Sequence, residues 1–337
     1  MYDNTSVEKY QEPGEALRDE QFPWKERKMR ANKLAEIYHA AGYLEYEERA
    51  RTCATWLQYW AQPSGERQLI GANFCQLRLC PLCTARRAKR MAYKLSQVLS
   101  LVQGQHPGIT YLFLTLTVRN CPGSELGATL TQLTKGWDRL CKHRQVQRSI
   151  MGWFRAIEIT RHGDSYHPHI HAIVAVEPAY FKRSNGLYLT HDQWVQRWRL
   201  ALRVDYDPSV RIAKTKAKEG GKDAETAAAV EAAKYATKDS DYIDPRLTME
   251  EAVEIVTVYT RALHRRRLTA YGGWLKEAAR ALDAEDLEDG DLVHIEPDKL
   301  REDVAELIEE YHWSFGAGDY ILADRRVNPL RVVRGDS

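Results

Sequence analysis

Residues 167–176 read His167-Pro168-His169-Ile170-His171-Ala172-Ile173-Val174-Ala175-Val176. The apolar, β-branched half of this run is a strand signature. Successive side chains on a strand leave opposite faces. His167, His169 and His171 therefore share one face. Two of them, His169 and His171, stand about 6–7 Å apart at Cα, close enough to hold one metal ion together.

The strand before it is Trp153–Thr160. A two-residue Gly163-Asp164 loop would join the two as a hairpin, because glycine in first position suits a type II′ turn. Cross-strand partners then place Glu158 opposite His169 on the same face. A carboxylate and two imidazoles would meet there. That donor set suits Mn²⁺ or Mg²⁺ with positions left for a substrate phosphate. A three-residue loop would turn Glu158 away unless a bulge restores it, and His167, which shares the face, is the alternative third ligand.

Further out, Tyr111–Val118 is a strongly apolar strand, and Ser124–Val146 is a helix with Leu126, Leu130, Leu133, Trp137 and Leu140 on one face. Residues 190–203 are helical with Thr190 as N-cap. Lys214–Lys222 is a basic, mobile loop. Asp223–Asp239 is an alanine-rich helix, and a second helix runs from Thr248 to about Arg267. Arg27–Ala50 is helical, with Gly42 as an interruption. This order predicts an α+β core, not a regular βαβ alternation. Four segments follow: a helical N-terminal extension (1–50), a cysteine knuckle with a basic helix (51–105), the core (106–245) and a mostly helical C-terminal region with an acidic segment (246–337).

Composition bounds the function. No apolar run approaches the ~20 residues a membrane helix needs. Met1-Tyr2-Asp3-Asn4-Thr5 has neither the basic nor the apolar part of a signal peptide. A cytoplasmic protein with reduced thiols is expected, and no membrane partner. The net charge of +2 conceals an asymmetry: residues 283–310 hold 13 acidic residues against Lys299 and Arg301, so the remainder carries +13. A basic body suits a polyanionic partner.

Four of the six cysteines lie between 53 and 83. Cys75, Cys80 and Cys83 form a tight knuckle, and Cys53 can close it as a structural Zn²⁺ site. The extra Cys75 disfavours a redox Cys-x-x-Cys pair. Arg86, Arg87, Lys89 and Arg90 follow at once as a basic helix stripe, and Arg265, Arg266 and Arg267 form a second cluster with Arg261 nearby. Both read as DNA contacts. In the alanine-rich helix, Glu231, Tyr235 and Lys238 share a face, and Tyr242 extends it if the helix lasts that far. A lysine there can stabilise phenolate charge and a carboxylate can act as general base, which would make Tyr235 a nucleophile; without the histidine strand, the same pattern reads as an ordinary exposed helix with a Glu–Lys pairing.

Three motifs now stand in order: Phe113-Leu114-Thr115-Leu116-Thr117, His167-Pro168-His169-Ile170-His171 and Lys234-Tyr235-Ala236-Thr237-Lys238. Together they resemble the rolling-circle replication initiators of small bacterial plasmids, HUH endonucleases of the single-tyrosine type. Cys53–Leu57, Ala72–Arg87, Ala270-Tyr271-Gly272-Gly273 and Glu288–Val293 extend the likeness over most of the chain from about residue 50. The resemblance implies a central antiparallel sheet flanked by helices, in a ferredoxin- or RRM-like palm. It implies that a metal at His169 and His171 polarises a phosphate of single-stranded DNA while Tyr235 attacks in line. A 5′-phosphotyrosine and a free 3′-OH primer result. Glu231 would help to end the replication round, Lys238 would orient the site, and an acidic residue on the neighbouring strand, here Glu158, would be the third ligand. Origin DNA and a host helicase are the implied partners, and a homodimer or higher oligomer stays open. Two other readings stand beside this one: a relaxase or single-tyrosine transposase of the same superfamily, and a non-catalytic, zinc-containing DNA-binding regulator.

Overall fold

The computed structural model describes residues 14–19, 22–215, 229, 232, 238–296, 300, 302 and 304–329. The chain forms two units, Met1–Arg86 with Asp291–Ser337, and Arg87–Gly290. The four expected segments therefore regroup, because the far C-terminal chain pairs with strands near the knuckle.

In the first unit, helices α1 (Trp24–Ala40) and α2 (Leu44–Thr52) are split at Gly42, whose φ of +76° favours glycine. Strands β1 (Trp56–Ala61) and β2 (Arg67–Ala72) then form a hairpin. Helix α3 (Pro81–Gln105) starts here, with proline in its first turn, where the missing N–H costs nothing.

The second unit is built on β3 (Thr110–Thr117), a short β4 (Cys121–Pro122), β5 (Gly152–His162), β6 (Ser165–Val176), β7 (Val210–Lys214) and β8 (Thr269–Gly273). Their order is β7-β3-β6-β5-β8, every pairing antiparallel, with β4 on β6. Between them lie helices α4 (Leu126–Lys142), α5 (Arg144–Ser149), α6 (His191–Leu202) and α7 (Met249–Leu263), and α8 (Trp274–Ala281) follows β8. Capping boxes at Thr190/Gln193 and Thr248/Glu251 start α6 and α7. The fold is thus α+β, with antiparallel sheets flanked by helices.

The hairpin turns at Gly163-Asp164, and of the two only Gly163 has positive φ, +57°, as a type II′ turn requires. Glu158 pairs with His169, the register the sequence predicts. One sheet face packs Phe154, Ile173 and Ala175 against Leu95, Val98, Leu99 and Val102 of α3 and Leu275 and Ala279 of α8. The helical Ala229 and Ala232 are fully buried in that same core. On α4, the predicted stripe of Leu126, Leu130, Leu133, Trp137 and Leu140 is buried. Each such leucine contributes about 1.5–3 kcal/mol by leaving water.

The C-terminal region has its two helices, and beyond them two strands that the sequence reading did not separate, β9 (Leu307–Ser314) and β10 (Asp319–Val327). They complete the first unit's sheet in the order β10-β9-β1-β2. Glu309 is buried within it, accepting from Arg67 Nε at 2.7 Å, Arg325 Nε at 2.8 Å and Tyr311 Oη at 3.0 Å. Lys214, expected in a loop, ends β7. The rest of that loop, 216–222, and most of the alanine-rich helix lie outside the described residues. No helix among the described residues is long and apolar enough to cross a membrane.

Candidate metal centre

The β5–β6 hairpin brings Glu158, His169 and His171 to one point. Glu158 Oε2 lies 2.8 Å from His171 Nε2 and 3.5 Å from His169 Nε2, and the two Nε2 atoms are 3.1 Å apart. With metal–ligand bonds of about 2.1 Å, two donors at right angles stand about 3.0 Å apart, so the spacing fits one octahedral ion. All three residues are buried, at 6%, 8% and 8% exposure.

The ring tautomers are set from behind. His169 Nδ1 meets the His167 carbonyl at 3.2 Å, and His171 Nδ1 meets Thr115 Oγ1 at 3.3 Å across the β3–β6 pairing. A carbonyl can only accept, so Nδ1 of His169 donates, and the hydroxyl can accept from Nδ1 of His171 in the same way. Both Nε2 lone pairs then point inward, as metal ligation needs. Burial alone would raise the Glu158 carboxyl. In the metal-free state, with protons on Nε2 in place of an ion, hydrogen bonds and charge from His169 and His171 overcome it and hold the group far below the usual carboxylate range. His167 offers its backbone rather than its ring, which stands 5.5 Å centroid to centroid from His169 and outside the three-residue group. Thr115 escaped the sequence reading as a site residue, although it sits in the quoted strand motif.

The four cysteines also converge. Sγ of Cys53 is 3.6 Å from those of Cys80 and Cys83, and Cys75 is 3.6 Å from Cys83. Four thiolates at 2.3 Å from a tetrahedral Zn²⁺ stand about 3.8 Å apart. Contacts with the other three thiols push Cys53 up, burial pushes Cys83 up, and Cys80 is drawn down, against its burial, by the thiols that bond it. Beside them Lys28 is fully buried, its Nζ donating to Arg51 O at 2.6 Å and Cys53 O at 2.8 Å. Burial lowers its pKa to about 8, opposed by the cysteine charges. The described residues thus hold two groups able to bind metal, one of four cysteines and one of Glu/His/His.

The basic residues behave differently from the expected open stripe. Arg86 and Arg87 are each only 7% exposed. Arg86 donates to the carbonyls of Leu292 and Val293, both at 2.8 Å, and Arg87 Nε to that of Glu288 at 2.6 Å. Arg90 donates to Asp286 O and Asp289 O at 2.9 and 3.0 Å. These arginines fasten the acidic segment by its backbone, while Lys89 is exposed. Glu288 is itself buried, accepting from the N–H groups of Leu268 and Thr269 at 2.7 Å. Helix α7 stops at Leu263, and Arg265 (φ +50°) and Arg267 are exposed beyond it. Arg266 instead donates to Thr131 Oγ1 and Gly127 O.

Tyr235 and Glu231 lie outside the described residues. Lys238 has extended backbone, φ −97° and ψ 135°, so the helical register expected to join it to Glu231 does not run through it. Tyr242, a candidate on that face, is 2% exposed and packs edge-on to Tyr259. Asp241 beside it accepts from Tyr259 Oη at 2.8 Å.

An antiparallel sheet carrying a buried two-histidine, one-carboxylate group, in a chain that also holds a four-cysteine group, defines a class of α+β proteins equipped for metal. The particular family follows from comparison: residues 66–321 match the Replication protein family, and the chain belongs to it. It is 37% identical over 278 residues to "Protein rep" of Streptococcus pneumoniae serotype 2, covering 82% of this chain and 84% of that protein. "Protein rep" of Bacillus amyloliquefaciens is 34% identical over 322 residues, 89% of this chain and 93% of the relative. "Protein rep" of Lactiplantibacillus plantarum is 35% identical over 309 residues, 89% and 95%. No solved structure matches.

Proposed function

We propose that this chain is a plasmid rolling-circle replication initiator of the single-tyrosine HUH type, which binds the double-strand origin and nicks one strand. The observation that carries the reading is the convergence of Glu158 Oε2 with two inward Nε2 atoms on the sheet of a replication protein. Mn²⁺ or Mg²⁺ bound there supplies Lewis-acid charge to a phosphate. The chain's own groups do the rest. Glu158 contributes one negative charge to the ion's three-ligand set, and His169 and His171 are pre-turned by the His167 carbonyl and Thr115. The Tyr235 hydroxyl loses its proton and its oxygen bonds to phosphorus. The 3′ oxygen of the preceding nucleotide leaves and takes up a proton. One phosphodiester is exchanged for another, so no nucleotide cofactor is consumed.

In the sequence, Tyr235 follows the buried, helical Ala232 by three positions. Ala232 belongs to the core on the sheet face that carries the triad. In this reading Lys238 steadies the phenolate, Glu231 assists termination, and Zn²⁺ fills the cysteine site as structure. Exposed Arg265, Arg267 and Lys89 touch DNA, a host helicase joins at the opened origin, self-assembly is open, and the work is done in the cytoplasm.

The test is a covalent adduct. Wild-type protein with origin single strand and Mn²⁺ should give a band of protein-linked DNA on a denaturing gel, lost in Tyr235→Phe and retained in Tyr242→Phe. No wild-type adduct, or one undiminished in Tyr235→Phe, overturns the proposal.

A further inference from the structure

Lys28 stands on the buried stripe of α1 and is itself 0% exposed. A lysine is almost never fully buried unless a partner balances its charge. Glu309, buried in the same unit, has two arginines for that purpose. Lys28 has no carboxylate partner among the described residues. Its Nζ donates to two neutral carbonyls, those of Arg51 at 2.6 Å and Cys53 at 2.8 Å. Such dipoles satisfy N–H groups but leave a unit of charge in a medium that screens it poorly.

The group beside this ammonium is the four-cysteine cluster. Cys53, whose carbonyl Lys28 holds, brings its Sγ to within 3.6 Å of those of Cys80 and Cys83. A second cation meets the cluster in the same way. Arg49 donates from a terminal guanidinium nitrogen to the carbonyl of Cys75 at 2.8 Å. Cys75 in turn donates its backbone N–H to Cys53 Sγ at 3.4 Å, an approach that favours a thiolate as acceptor. Arg49 is less committed than Lys28. Its side chain is 40% exposed, and Glu45 lies 3.4 Å away in a solvated pair.

Four thiolates around one Zn²⁺ make a dianion. One ammonium and one guanidinium, each fastened to the carbonyl of a cysteine in the cluster, bring two positive charges to it. Four neutral thiols would instead leave Lys28 as an uncompensated buried charge. We infer that Lys28 and Arg49 are the counter-ions of a dianionic tetrathiolate metal group, and that they set how tightly it holds its ion. This rests on the reading of the cysteines as a zinc site. The rival role for Lys28 is to cap the C-terminal end of α2, where a cation is also favoured. A cap stabilises the fold to the same extent with or without metal, whereas a counter-ion acts on metal affinity.

The experiment reads metal affinity, not activity. Full-length protein is titrated with Co²⁺, whose thiolate-to-metal absorption reports the cysteine group alone, and Zn²⁺ is then added to displace it. Lys28→Met should weaken both ions by about 10–100-fold, the range for groups behind a metal ligand. Arg49→Gln should weaken them about ten-fold, the low end of that range, because water shares its charge. Arg49→Lys keeps the charge and should restore the parent's affinity. Lys33→Gln, exposed on the same helix as Lys28, should match the parent. Unchanged affinity in Lys28→Met, with only the melting temperature lowered, makes Lys28 a helix cap and overturns the inference. So does unchanged affinity in Arg49→Gln, or a loss of equal size in Lys33→Gln. If Lys28→Met does not fold, Arg49→Gln and its lysine rescue decide alone. A wild type without the Co²⁺–thiolate band removes the zinc reading and the inference with it, whereas a band of equal affinity in every variant removes the inference alone.

Discussion

Two clusters of metal-ligand type occur among the described residues of this replication protein, and they are built from different kinds of structure. Glu158, His169 and His171 stand on two strands of one hairpin, held by ladders on both sides. Cys53, Cys75, Cys80 and Cys83 come from the end of a helix, a loop after β2, and the start of α3. Three ligands on a rigid sheet leave coordination positions for substrate. Four ligands drawn from helix ends and a loop would leave none, and an ion bound there would tie those pieces of chain together. The first arrangement is suited to chemistry and the second to folding.

The contrast breaks most sharply at the cysteines. Cys80→Ser should lose zinc by metal analysis and destabilise the first unit by on the order of 10 kcal/mol. Retained metal and an unchanged melting curve would put the cluster on the same footing as any buried thiols. The next largest effect lies in the same unit. Burial alone would raise the Glu309 carboxyl, but its bonds to Arg67 and Arg325 and their charges hold it below the ordinary range. A carboxyl lowered in the folded state stabilises above its unfolded pKa, about 4.3, and that contribution is lost as pH falls through the lower folded value. Glu309→Ala should cost about 3–5 kcal/mol at neutral pH. Urea titrations should show its acid limb flatter than wild type, and a parallel limb would sink the assignment.

Smaller effects sharpen the other side. Arg87→Ala removes a charged bond to a carbonyl and should cost about 1.5–3 kcal/mol of stability, with no change in the salt slope of DNA binding. A reduced slope at unchanged stability would return Arg87 to the DNA surface. Thr115→Val should leave melting nearly untouched while weakening Mn²⁺ binding about 10–100-fold, as loss of a group behind a metal ligand does. Unchanged affinity by calorimetry would mean that His171 needs no such support.

The hairpin was legible because strand period and a two-residue turn are local: once Gly163-Asp164 is taken as the turn, Glu158 must face His169. The stripe of α4 was legible for the same reason. The first unit's sheet was not, because Leu57 finds its partner at Tyr311, and no local pattern announces a pairing that distant. Arg86 and Arg87 misled because an arginine stripe on a helix looks the same whether water, phosphate or a returning chain meets it. Lys28 did leave a signal: it falls in the helical stripe of Ala31, Leu34, Ala35 and Tyr38, all buried. A cation in an apolar stripe asks for acceptors, and here they are the carbonyls of Arg51 and Cys53.

The Gly163-Asp164 turn has a consequence for how such a gene can change. Ten residues separate Glu158 from His169, and that number works as a ruler. One residue gained or lost within either strand, with the turn kept, sends the carboxylate to the far side of the sheet. Two in the same strand restore the side but displace it along the strand by about 6.8 Å, beyond the reach of a shared ion. Substitutions there can be forgiven, and so can residues added at the turn tip, whereas small insertions and deletions within one strand cannot. Among relatives, each strand's share of this short interval should drift in letters while keeping its length.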